Sequence, residues 1–290
     1  MVHSFFQNLT FFTQPFPFTI LMGIIGLLVG SFLNVVIYRL PIMLQQQWRI
    51  DCLDYLKIEH SMEESEPFNL ALPRSTCPHC KTPILIGHNI PILSYLWLRG
   101  KCVVCKNLIS VRYPLVELLT AILSMMVAWH FGFGWQATAG LILTWSLIAL
   151  SGIDVDYQLL PDSIIFPILW LGLILSLFDI FTDCKTSIIG AATGYLLLWF
   201  VYHGFKIFTG KEGMGQGDFK LLALLGAWLG WQYLGLIILL SSLVGATVGI
   251  TLISLKKHQR EIPIPFGPYL AVAGFIALLW GDKLNTLYFG

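Results

Sequence analysis

Charge is what this sequence has least of: 17 Lys and Arg and 16 Asp and Glu among 290 residues, or 11%. So small a charged fraction cannot cover the surface of a water-soluble protein of this length. The balance of +1 says nothing further about partners, and no basic tract interleaved with aromatics is present to hold nucleic acid. Nucleotide signatures are missing as well. The stretch "GMGQG" at 213–217 lacks the Gly-Lys-Ser/Thr ending of a phosphate loop, and no glycine-rich strand-turn-helix fingerprint occurs elsewhere. Residues 1–16 lack the basic start of a cleavable signal peptide, so none is expected. Cysteine is scarce, six in all, and four of the six form two pairs.

What fills the chain is apolar: 56% of residues, with a mean hydropathy of +0.76. A spanning helix needs roughly 20 mainly apolar residues. Segments of that kind fall at 17–40, 114–132, 136–153, 163–181, 187–208, 219–231, 233–255 and 265–281. The expected fold is therefore an all-α polytopic membrane protein with about eight transmembrane helices. The sixth segment is short and glycine-flanked, so it can merge with the seventh into a re-entrant or broken element.

The basic residues set the orientation. With the N-terminus outside, 15 of the 17 fall on the inner side, among them Arg39, Arg99, Lys101, Lys106, Arg112, Lys206, Lys220, Lys256, Lys257 and Arg260. Only Lys185 and Lys283 are left outside. Short loops near 206–220 and 256–260 agree with the long one, as the positive-inside rule requires.

The one sizeable polar region, 41–112, carries "CPHC" at 77–80 and "CVVC" at 102–105, with 21 residues between the pairs. Two such knuckles aim four sulfurs at one ion, a zinc-ribbon-like pattern with a slightly long spacer. Disulfides are the rival reading, disfavoured in a reducing cytoplasm. Four thiolates leave no position for a substrate, so Cys77, Cys80, Cys102 and Cys105 point to structural zinc. Cys52 and Cys184 stand alone and read as apolar fillers. The expected division is an N-terminal helix (1–40), a cytoplasmic zinc-binding domain (41–112) and a membrane-embedded region (113–290).

Most acids, including Glu63, Glu64 and Glu66, lie in the polar loop or at outer ends. The others gather at the inner face: Asp154 and Asp156 end the third segment, Asp162 opens the fourth, and Asp218 precedes the sixth. A charge at a bilayer needs a reason. Two carboxylates brought together there cannot both ionise easily, so one keeps a proton while the other acts as a base: the aspartic-protease arrangement. Gly215 and Gly217 would let the backbone turn and an extended peptide approach. Plainer roles compete. Asp162 and Asp218 suit helix caps, Asp156 suits a solvated position, and Glu117 suits snorkelling or pairing with Arg112.

Taken together, "GSFLNVVIYRLP" at 30–41, the two cysteine pairs, "RYPLVELLTA" at 112–121, "IDVDYQLLPD" at 153–162, "GMGQGDFKLLALLGAW" at 213–228 and "PIPFGPYLA" at 263–271 closely resemble the type IV prepilin peptidases. These are bifunctional leader peptidases and N-methyltransferases of the G-x-G-D aspartic membrane protease family. The resemblance implies an inner-membrane enzyme with catalytic Asp218 and Asp154, Asp156 being the alternative to the latter. It implies cleavage of type IV prepilins and type II pseudopilins at the cytoplasmic face, after a glycine and usually before phenylalanine. It also implies S-adenosylmethionine-dependent methylation of the new amine. A transporter places acids nearer the midplane, often in repeated halves, and a secretion scaffold needs no acid pair. A presenilin-like enzyme has a Tyr-Asp order, whereas "DY" stands at 156–157.

Overall fold

A computed structural model describes residues 14–58, 68–84, 87, 90–211, 213–254 and 265–289. Glu63, Glu64, Glu66, Lys256, Lys257 and Arg260 lie outside the described residues. Among the described residues every regular element is a helix, and β structure is confined to two isolated bridges. The helices are α1 (Pro15–Tyr55), α2 (Leu93–Trp97), α3 (Arg112–Phe131), α4 (Trp135–Tyr157), α5 (Asp162–Ser176), α6 (Cys184–Thr209), α7 (Gln216–Leu229), α8 (Leu234–Ser254) and α9 (Gly267–Phe289). Six of these are long and apolar enough to cross a membrane, while α5 and α7 are apolar but short. Contacts divide the chain into two units, 1–133 and 134–290.

In the first unit α1 packs along α3. The contact is set by small residues: a side chain on Gly26 would stand 2.8 Å from the Ala121 Cα, and one on Gly30 2.8 Å from the Glu117 Cα. Such spacing lets two backbones approach where lipid offers no hydrophobic drive for association. The Asn34 amide adds a hydrogen bond to the Tyr113 carbonyl at 3.1 Å. At 41 residues, α1 is about 61 Å long, twice the hydrocarbon thickness. It does not stop where its apolar run does. Residues 43–47, Met, Leu and three Gln, are good helix formers, most of 45–55 is exposed, and Gln47 bonds Asp51 one turn on at 2.8 Å. Cys52 is exposed on this extension rather than filling a core. Arg39, buried, turns back to the carbonyls of Asn69 (2.8 Å) and Pro73 (2.6 Å) and so fastens the polar connection to α1.

In the second unit α7 is central: every residue from Asp218 to Leu229 except Lys220 is buried. A helix apolar on all sides belongs inside a protein. Its closest neighbour is α6, where Gly190 meets Gly226 backbone to backbone and Gly194 lies over the Leu222 carbonyl. Ser187 donates to the Ala227 carbonyl, and the Trp228 indole to the Ile168 carbonyl of α5 at 2.8 Å, over Gly172. Helix α9 packs on α4, α7 and α8. The fourth expected span, 163–181, ends early at Ser176, where a turn carries Asp179 at φ 52°. The sixth and seventh are separated by Gly230 at φ 93° and the single turn Trp231–Tyr233, which is the broken element anticipated.

Candidate active site and metal centre

Asp154 lies in the last turn of α4 and is buried, whereas Asp156, two residues on, is exposed. Two residues turn a helix by about 200°, so the two acids of "DVD" look in opposite directions. Asp154 Oδ2 accepts the Gly267 N–H at 3.0 Å. Gly267 is the first residue of α9, so the carboxylate sits at a helix N-terminus, where unpaired N–H groups favour negative charge.

Asp218 occupies the first turn of α7 and is also buried. The N-cap of α7 is Gly215, which has no side chain to cap with; its carbonyl accepts the Asp218 N–H at 3.3 Å, and Asp218 Oδ2 lies beside it. The other oxygen of Asp218, Oδ1, is buried with no hydrogen-bond partner. A buried carboxylate oxygen without a donor is costly, and Asp154 is near enough for its charge to act on Asp218.

The glycines divide. At Gly217 a side chain would meet Leu160 Cβ at 2.7 Å, and at Gly267 one would meet Asp154 Oδ2 at 2.6 Å and Leu160 Cδ2 at 3.3 Å. Leu160 thus wedges the entrances of α7 and α9 together. At Gly215 only Asp218 Oδ2 comes within 4 Å, at 3.8 Å. Asp162 is not a cap. The N-cap of α5 is Pro161, and Asp162 instead binds the Lys220 ammonium at 2.7 and 2.9 Å. Glu117 is buried in α3 and accepts the Ile92 N–H at 2.8 Å, rather than snorkelling or pairing with Arg112.

In the first unit, "CPHC" and "CVVC" form two equivalent knuckles. Cys77 N–H binds the Thr82 carbonyl as Cys102 N–H binds that of Asn107, and Lys81 and Lys106 close the turns at φ 58° and 59°. The four sulfurs all lie within 4.8 Å of one another. Cys77 to Cys105 is 3.7 Å and Cys80 to Cys102 is 3.9 Å. A zinc–sulfur bond of about 2.3 Å makes the edge of a tetrahedron about 3.8 Å, so the cluster fits one ion. The Thr82 hydroxyl and backbone lower the Cys80 thiol to about 6. The Cys105 and Val104 backbone also lowers Cys102. At Cys105 the Asn107 backbone favours the thiolate, but burial and the neighbouring sulfurs outweigh it and raise the thiol to about 11. Four sulfurs this close cannot all ionise unless a cation joins them.

Comparison with known proteins supplies the context. Residues 24–131 match the bacterial peptidase A24 N-terminal domain and residues 141–250 the type IV leader peptidase family. A prepilin leader peptidase/N-methyltransferase of Stutzerimonas stutzeri is 56% identical over 276 residues, 95% of each chain. The chain belongs to the type IV leader peptidase family. Family relatives of the same description occur in Pseudomonas aeruginosa, at 55% identity over 95% of each chain, and in Neisseria gonorrhoeae, at 47% over 92% of this chain and 93% of that one. No solved structure matches. Within this family frame, the residues missed in the sequence are Gly267 and Leu160. The signal for Gly267 was the Gly-Pro pair at a helix start; Leu160 gave none.

Proposed function

We propose that this chain is a prepilin leader peptidase and N-methyltransferase of the bacterial inner membrane. Its substrates are type IV prepilins and type II secretion pseudopilins. It cuts after a glycine, usually before phenylalanine, at the cytoplasmic face, and methylates the new amine with S-adenosylmethionine as donor. The N-terminus lies outside, as the 15 to 2 split of basic residues supports. Residues 1–40, 41–112 and 113–290 form its anchor, metal domain and peptidase region. A transporter or scaffold is not favoured, since the similarity to the named enzymes covers 95% of the chain.

One observation carries the peptidase reading: two buried acids, 64 positions apart, meet at the entrances of α7 and α9. Asp154, held by the Gly267 N–H, is the base that takes a proton from water. Asp218, whose Oδ1 has no donor, keeps a proton and gives it to the carbonyl oxygen or the leaving amine. Water adds to the carbonyl carbon, and collapse of the tetrahedral intermediate expels the amine of the new N-terminus. Asp156, exposed, is the alternative to Asp154 that this geometry disfavours. Gly215 offers bare backbone beside Asp218 for an extended substrate. Gly217 contributes by admitting Leu160.

We assign zinc to Cys77, Cys80, Cys102 and Cys105. With four thiolate ligands it would supply no chemistry to the reaction and would hold the two knuckles together. No residue is assigned to the methyl donor. The test is to incubate purified enzyme with a prepilin and labelled S-adenosylmethionine and to read the mass and N-terminus of the product. A shortened, methylated chain is expected. An unchanged prepilin would refute the proposal.

A further inference from the structure

Among the described residues, the short helix α2 shows an apolar face with no protein against it. Leu93, Leu96 and Trp97 are 64%, 66% and 87% exposed. Their spacing of i, i+3 and i+4 puts them on one side of a helical turn. Ser94, on the other side, is buried, and its hydroxyl donates to the Gly87 carbonyl at 3.2 Å. A solvent-facing turn is expected to carry polar residues here.

Its position along the membrane helix is fixed by a bond. Helix α3 has 20 residues and is about 30 Å long, the thickness of the hydrocarbon layer, so Arg112 stands at one boundary. Glu117 is five residues inside, and its side chain leans back toward the helix start, which puts its carboxylate roughly 4 to 8 Å past Arg112. That carboxylate receives the Ile92 N–H, the residue that opens α2. Ile92 has φ 57°, a conformation uncommon for a β-branched residue, so the chain is held there rather than resting there. The apolar face of α2 is thereby brought to the depth at which interfacial helices bury theirs, about 5–10 Å.

Charge agrees with depth. Arg99, Lys101 and Lys106 follow α2 and are exposed. Apolar side chains led by Trp and flanked by basic residues are the composition of a segment lying at an anionic lipid surface.

We propose that residues 92–98 form a membrane-seated wedge, with Leu93, Leu96 and Trp97 in the acyl–headgroup boundary of an anionic bilayer and Glu117 as the residue that sets its depth. The cysteine domain would then ride on the lipid surface rather than hang free in water.

The test uses the full chain in vesicles of phosphatidylethanolamine and phosphatidylglycerol, with a benzophenone amino acid replacing Trp97. Two reference positions bracket the outcome: Leu118, 45% exposed on α3, and Gln47, exposed on the extension of α1. After irradiation, lipid adducts at 97 are expected to approach those at 118 and to exceed those at 47 by about tenfold or more, as seating at interfacial depth requires. With the probe moved to position 93, Trp97→Glu should lower the lipid adduct and Trp97→Phe should keep it. An adduct yield at 97 no higher than at 47, or adducts to a protein chain in place of lipid, overturns the proposal.

Discussion

Replacing Gly267 with alanine tests the candidate site at its tightest point. The new Cβ would stand 2.6 Å from Asp154 Oδ2 and 3.2 Å from its Cγ. An ordinary carbon–oxygen contact needs about 3.2 Å or more, so the carboxylate must retreat by about 0.6 Å. Its 3.0 Å bond to the Gly267 N–H would then stretch to about 3.6 Å, beyond hydrogen-bond range. Misplacement by about 1 Å can cost on the order of a hundredfold in rate. A loss in kcat of roughly ten- to a hundredfold is therefore expected. Stability should move little, because alanine is better than glycine in a helix by up to about 1 kcal/mol, which offsets part of the crowding. The assay is prepilin cleavage at matched amounts of folded, membrane-inserted enzyme. Gly204→Ala serves as control, since its side chain would meet nothing within 4 Å. Gly267→Ala cleaving as fast as that control would show that the carboxylate of Asp154 does not depend on its seat at α9.

Asp154→Asn and Asp218→Asn should each abolish leader cleavage while the protein still inserts, because acid and base act as one unit. Asp156→Asn should retain it, and the reverse pattern, read by gel shift of the prepilin, would move the role to Asp156. Gly217→Ala should lose activity by displacing Leu160, which stands 2.7 Å from the new Cβ; pairing it with Leu160→Ala should restore part of the rate, and no restoration would argue for a direct role of Gly217. Metal analysis should find about one zinc per chain, lost on changing Cys77, Cys80, Cys102 or Cys105 to serine, since metal and folding energies are one quantity in such a domain. Active enzyme without metal would defeat that assignment. Gly190→Ala, whose side chain would collide with the Gly226 backbone, should destabilise the α6–α7 contact by about 1–3 kcal/mol, measured by denaturant unfolding in detergent.

The eight apolar segments were legible because bilayer thickness imposes a length that hydropathy reveals. The ends were not. Pro41 and the polar run after it hid the continuation of α1 to Tyr55, since a water-facing helix needs propensity rather than apolarity. The cysteine cluster was legible because knuckle spacing is local. The acid pair was legible only as acids on one side of the membrane. Which of Asp154 and Asp156 turns inward depends on helix phase, and the carboxylate's N–H donor comes from Gly267, 113 residues away. Asp162 misled because its partner, Lys220, is likewise remote. Glu117 misled because its donor is a backbone N–H, which no side-chain pattern announces.

The brevity of α7 bears on how a hydrolase can work beside oil. At 14 residues it is about 21 Å long, while α6 and α4, at 26 and 23 residues, measure about 39 and 35 Å. A short rod among long ones ends before its neighbours do. One end runs into the single turn Trp231–Tyr233 and the next helix. The other begins at Gly215, with Asp218 buried in its first turn. The acid is therefore carried by a helix end and not by mid-span, so a peptide that is helical in the bilayer would have to fray only a turn, rather than unwind along its length, to bring a backbone carbonyl to that level.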